Sequence, residues 1–133
     1  MLDSKSVVDL CISKGFALAG VTTASHSSHD AVLRKWLKDE KHGEMEWLNR
    51  NVDVRLDPRN LVEGAASVIC VADRYGKLEE EPLCARDGRI ARYARGRDYH
   101  KEMKKRLHSI SDTLRAEFPG EQFRACVDTA PLL

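Results

Sequence analysis

The run Ala66-Ser67-Val68-Ile69-Cys70-Val71-Ala72 decides the fold class. It is short, continuous and apolar, which predicts a strand, and a strand covered on both faces. Downstream, residues 76–88 carry two glycines, a proline and three consecutive glutamates, so they read as an exposed connection. Residues 89–95 fit a strand or an extended loop. Asp98 is placed to cap a long helix over 99–118, with Met103, Leu107, Ile110, Leu114 and Phe118 recurring along one face. Pro119-Gly120 stops that helix, and residues 121–127 read as a final strand ending at Val127-Asp128.

Upstream of the central run, residues 51–60 read as a loop in which Asp57-Pro58 disfavours helix at Asp57. A short helix is expected over 44–50, with Met45 and Leu48 inward. Before it, Ser28 is the expected cap of a helix whose Val32, Leu33, Trp36 and Leu37 fall at helical spacing, ended or interrupted by Gly43. The Thr- and Ser-rich segment 22–28 is a loop, and residues 16–22 a short strand. Ser4 is the expected cap of a first helix over 5–14, with Val7, Val8, Cys11 and Ile12 on one face and Gly15 as its stop. The sum is an α/β domain, with α+β as the alternative: a small mixed sheet flanked by about four helices.

At 133 residues the chain fits one domain, 1–133. Hydrophobic residues make up 42% and the net charge is +1, a composition that favours a folded core over disorder. No apolar run is long enough for a transmembrane helix, and Met1-Leu2-Asp3-Ser4-Lys5 lacks the basic start of a signal peptide. A cytoplasmic protein without membrane contact is expected. Cys11, Cys70, Cys84 and Cys126 form no C-x-x-C pair, which argues against a zinc knuckle or a local cluster site. Buried reduced thiols are the expectation for those among apolar neighbours. No metal site is expected. The apolar ending Pro131-Leu132-Leu133 suggests a fragment or a natural truncation.

Charge is unevenly placed. Between Arg86 and Arg106 there are nine basic residues and three acids. Such a patch suits a polyanion, and Tyr93 and Tyr99 inside it are suited to stack on unpaired bases. A solvated helix face is the alternative. Asp128 follows an apolar segment, where a carboxylate either faces a crevice and donates a proton or bonds its own backbone in a turn. The histidines form no H-E-x-x-H motif, and no phosphate-binding glycine loop is present.

Four words, in order, resemble the N-terminal part of the epoxyqueuosine reductase family. They are Trp36-Leu37 with His42-Gly43-Glu44-Met45-Glu46-Trp47-Leu48; Arg55-Leu56-Asp57-Pro58 with Leu61-Val62-Glu63-Gly64 and Val68-Ile69; Arg92-Tyr93-Ala94-Arg95-Gly96-Arg97-Asp98-Tyr99-His100-Lys101; and Val127-Asp128-Thr129-Ala130-Pro131-Leu132-Leu133. The resemblance implies a corrinoid-reductase-like N-terminal domain. The family's reaction reduces epoxyqueuosine to queuosine at the tRNA wobble position, using cobalamin and two four-iron four-sulfur clusters. Asp128 matches the family's proton donor, which favours the catalytic reading of that residue. Arg55 and Ala91 match cobalamin contacts, as does Asp128. Arg92, Tyr93, Arg97, Tyr99, His100 and Lys101 are the expected substrate or tRNA contacts.

The family continues into a ferredoxin-like iron–sulfur module whose ligands are absent from this chain. The chain is therefore expected to be the N-terminal part of a longer architecture, not turning over alone, with the tRNA anticodon region and the missing module as partners. Glu63-Gly64 stands where the family has Pro-Gly, and Ala72-Asp73-Arg74-Tyr75 where Asn-Tyr is common. Two alternatives stay open: a non-catalytic RNA-binding or interaction domain, and a related cobalamin-dependent reductase of a small molecule.

Overall fold

The computed structural model describes residues 3–75, 88, 90–94 and 96–127, with Arg92 described through its backbone. The expectations for the connection 76–87, for Cys84, Arg86, Arg89 and Arg95, and for Asp128 lie outside the described residues.

The first helix, α1, spans Ser4–Ser13. Its cap is Asp3 rather than the expected Ser4: the carboxylate accepts from the Ser6 N–H at 2.8 Å and from the Ser6 hydroxyl at 2.9 Å. Gly15 ends it as expected, in the left-handed region at φ 89°. Val7 and Cys11 are buried, but Ile12 is 44% exposed and does not share their face fully. Strand β1 follows at Leu18–Thr23.

The next helix, α2, covers Asp30–Lys38 and begins at His29, not Ser28. The Ser27 hydroxyl accepts from the His29 N–H at 3.2 Å, which turns the chain one residue later than expected. Leu37 is buried, whereas Val32 points outward at 67% exposure. In place of a helix over 44–50 there is a 3-10 turn at Glu46–Asn49, with Met45 exposed. The expected loop 51–60 contains a short helix α3, Val52–Leu56, and a 3-10 turn, Pro58–Asn60. Asn51 at φ 56° starts α3, and Asp57 ends it in an extended conformation, as the following proline requires.

Strand β2, Ser67–Ala72, pairs antiparallel with β1 in the register Leu18↔Ala72 to Thr23↔Ser67. A small sheet among helices is what the fold class requires, and among the described residues the sheet is this one pair. Ala19, Val21, Ile69 and Val71 pack on the core cluster of Val7, Cys11, Phe16, Ile110 and Leu114. The opposite face carries Leu18 and Cys70, both exposed, so burial on both faces does not hold within the described residues. Cys70 is thereby an exposed free thiol, against expectation; Cys11 is fully buried, which pushes its thiol pKa up.

Of the stretch expected as a strand or extended loop, the described residues 90–94 hold a 3-10 turn at Arg92–Ala94 and no strand. The long helix α4, Tyr99–Glu117, is capped as expected by Asp98, whose carboxylate accepts from the His100 N–H at 3.0 Å. Ile110 and Leu114 carry its buried stripe. Residues 121–127 are irregular, not a strand. Their place is set by side chains: Phe123 packs on the core, and Arg115 donates to the Phe123 carbonyl at 2.6 Å. Among the described residues no helix is long and apolar enough to cross a membrane.

Candidate functional site

The expected site residues fall in two places. The first is the turn-rich stretch between α2 and β2. Arg55 sits on α3 with its guanidinium carbon 5.5 Å from the centre of the Trp47 ring. Its Nε is buried and has no hydrogen-bond partner. The carboxylates beside it in sequence are engaged elsewhere. Asp53 accepts from Arg34 Nη2 at 2.6 Å, and Asp57 from Arg59 Nη2 at 2.6 Å. The Arg59 side chain holds the Asp57 carboxyl down at about 2, from an ordinary 3.8. Arg55 is thus a half-buried cation with an unsatisfied donor, an arrangement that costs stability unless a ligand acceptor completes it.

The turn that carries Trp47 is anchored from below. His42 is buried, its Nε2 lies 2.8 Å from the Asn49 amide nitrogen, and its ring meets Trp36 at 6.0 Å. Trp47 itself remains 55% exposed.

The second place is the start of α4. Tyr75, three residues beyond β2, meets Tyr93 edge-on at 6.3 Å, and Tyr93 meets Tyr99 edge-on at 6.2 Å. Tyr99 stacks on His100 at 4.1 Å. Asp98 orients that imidazole: its carboxylate lies 2.9 Å from Nδ1, a contact that lowers the Asp98 pKa. Tyr75 and Tyr93 stay 67% and 55% exposed, so this aromatic row is a surface and not a core. Arg97 and Lys101 flank it, exposed, as are Lys104 and Lys105 further along α4. Ala91 is exposed just before the row, and its carbonyl accepts from the Ala94 N–H at 2.9 Å. Of Arg92, the structure gives the backbone, in the 3-10 turn.

The basic patch is smaller than its residue count suggests. Arg106 donates to the Gly15 carbonyl at 2.9 Å, pairs with Asp73 and lies 4.5 Å over the Phe16 ring. It is a tie between elements rather than a surface cation. Sequence reasoning also missed Tyr75, which joins the row, and Trp47, which supports Arg55. The Trp47 word was visible, but no spacing rule links it to Arg55 across the left-handed Asn51. Among the described residues no three His, Cys, Asp or Glu side chains gather to hold a metal ion.

Residues 55–129 match the family described as epoxyqueuosine reductase QueG, DUF1730. An epoxyqueuosine reductase of Xanthomonas campestris pv. campestris is 37% identical over 124 residues, covering 90% of this chain and 35% of the relative. One from Leadbetterella byssophila is 35% identical over 131 residues, covering 98% of this chain and 43% of the relative. The chain therefore spans well under half the length of these relatives. Epoxyqueuosine reductase from Streptococcus thermophilus shares the fold, with TM-score 0.84 at 23% identity over 100% of this chain and 36% of that one. A second such structure, crystallised with an epoxyqueuosine-modified tRNA-Tyr stem loop, gives TM-score 0.78 at 22% identity.

Proposed function

The chain belongs to the epoxyqueuosine reductase QueG, DUF1730 family, and on that premise we propose that it is the N-terminal catalytic-site domain of an epoxyqueuosine reductase, acting in the cytoplasm on tRNA. The observation that carries the reading is the row Tyr75–Tyr93–Tyr99–His100, exposed at Tyr75 and Tyr93 and half-buried at Tyr99 and His100, beside Arg97 and Lys101. Tyrosine faces and edges suit flipped or unstacked loop bases, and the cations suit the flanking phosphates. An anticodon loop offers both.

Cobalamin fits the residues present. The buried Nε of Arg55 lacks a partner, and a corrinoid's amide and phosphate oxygens are acceptors of the kind it needs. Arg55 would hold the cofactor by its side chain and Ala91 by its backbone. When bound, cobalamin supplies low-potential electrons for cleaving the carbon–oxygen bond. The overall change removes the epoxide oxygen as water and takes up two electrons and two protons. Asp128, matching the family's acid, holds the proton for the departing oxygen and makes it the better leaving group. Arg92, Tyr93, Arg97, Tyr99, His100 and Lys101 bind and orient the tRNA loop. The cysteines do not fit an iron–sulfur cluster: Cys11 is sealed in the core, and the sequence has no C-x-x-C. The two clusters of the family are assigned to polypeptide outside this sequence, and the chain alone should not turn over.

The test is binding of an epoxyqueuosine-modified anticodon stem loop to the 133-residue chain, followed by fluorescence anisotropy. Tyr93→Ala and Tyr99→Ala should each weaken it about tenfold, in line with ~1–3 kcal/mol per stacked base. Unchanged affinity in both would overturn the substrate reading.

A further inference from the structure

We infer that Trp47 is a positioning residue for the cofactor: its ring face holds the Arg55 guanidinium in place, so that the unpartnered Nε–H is ready for a corrinoid oxygen. The inference rests on the reading of Arg55 as a cobalamin contact. Three observations carry it. The guanidinium lies over the Trp47 ring, 5.5 Å from its centre, at cation–π range. The neighbouring carboxylates Asp53 and Asp57 are committed to Arg34 and Arg59, so no adjacent carboxylate fixes Arg55 instead. Trp47 is more than half exposed, which excludes core packing as its reason for being there. Meanwhile its own turn is pinned by the His42–Asn49 contact at 2.8 Å.

An arginine side chain free in water samples many rotamers, and a ligand must order it on binding. The ring face orders it beforehand. Trp47 thereby acts through Arg55, and its effect should vanish when Arg55 is removed.

The experiment titrates hydroxocobalamin into the 133-residue chain, read by equilibrium dialysis and visible absorbance. The variants are Trp47→Phe, Trp47→Leu, Arg55→Met and the Trp47→Leu/Arg55→Met double variant. Trp47→Leu should weaken uptake about fivefold, the size of a partly exposed cation–π contact, and Trp47→Phe about twofold. In the Arg55→Met background Trp47→Leu should change nothing further. A second readout needs no ligand: the Arg55 Nε–H resonance, displaced by the indole ring in the unaltered protein, should move to its solvent value in Trp47→Leu. Trp47→Phe keeps the test open if Trp47→Leu fails to fold.

Unchanged uptake in both Trp47 variants, with Arg55→Met weakened, would overturn the positioning role and leave the Arg55 reading standing. Additive losses in the double variant would show Trp47 touching the cofactor directly, and so overturn it too. Unchanged uptake in Arg55→Met, or no uptake by the unaltered chain, would overturn the cofactor reading and this inference with it.

Discussion

Arg106 and Arg55 each lay a guanidinium over an aromatic ring, Phe16 at 4.5 Å and Trp47 at 5.5 Å. The likeness ends there. Arg106 has a carboxylate in Asp73, a carbonyl in Gly15 and a buried phenyl ring beneath it. Arg55 has an exposed indole and a buried Nε with nothing to donate to. The first arginine joins α4 to the α1–β1 turn and the end of β2. The second stands in a region built of short turns, where its charge is left for something else. Completed hydrogen bonds mark Arg106 as structural, and the incomplete set on Arg55 is what its proposed binding role rests on.

The comparison can be tested at decreasing scale. The frame around Arg106 depends on the core, so Leu114→Ala should destabilise the chain most, by about 2–5 kcal/mol in urea unfolding. A loss below 1 kcal/mol would mean that α4 is not the keystone of that frame. Arg106→Met should cost about 1 kcal/mol, discounted for partial exposure, because it removes the ties to Asp73 and the Gly15 carbonyl and the contact over the buried Phe16 ring. Arg55→Met should stay within about 0.5 kcal/mol of the unaltered protein, since it removes an unsatisfied donor. Equal costs for the two would erase the distinction. Gly15→Ala tests the same corner more gently. At φ 89° the added methyl is strained, although Arg106 Nη1 at 3.7 Å leaves room for it. A loss of about 1 kcal/mol is expected from backbone strain.

The smallest effect is in pH. Asp57 is held at about 2 by Arg59, and Arg106 lowers Asp73 in the same direction. Groups with depressed folded pKa values contribute their stability above the unfolded value and lose it as pH falls through the folded one. These two carboxylates should therefore add no slope to the urea midpoint from about pH 7 to 5 and should make it decline from about 4 toward 2. Asp57→Asn should remove the lower part of that decline. An identical acid limb in Asp57→Asn would assign it to other carboxylates.

Local signals reached the sequence where one residue controls one backbone turn. Asp98 as a cap, Gly15 as a stop and Asp57 before Pro58 all behave as read. The periodic stripe of α4 was equally legible, because Ile110 and Leu114 do face the core. Residues 121–127 misread because their apolar side chains serve packing while an arginine, not a neighbouring strand, takes a backbone carbonyl. The two apolar faces of β2 were legible as composition, yet only the face bearing Ile69 and Val71 packs on the described core. At the candidate site, Arg55 and the row residues stand out in the sequence by their words. Their pairing with Trp47 and Tyr75 does not, because both contacts bridge turns whose direction no local rule fixes.

The tie from Arg106 to Gly15 links residues 91 positions apart, and Val7 and Cys11 share their cluster with Ile110 and Leu114. Synthesis at about 5–20 residues per second separates the emergence of those two ends by roughly 5–20 s. During that interval α1 has left the ribosome with no α4 to cover it. For that interval the nascent chain must carry an uncovered greasy stripe, and its yield should depend on chaperones that bind such stripes early.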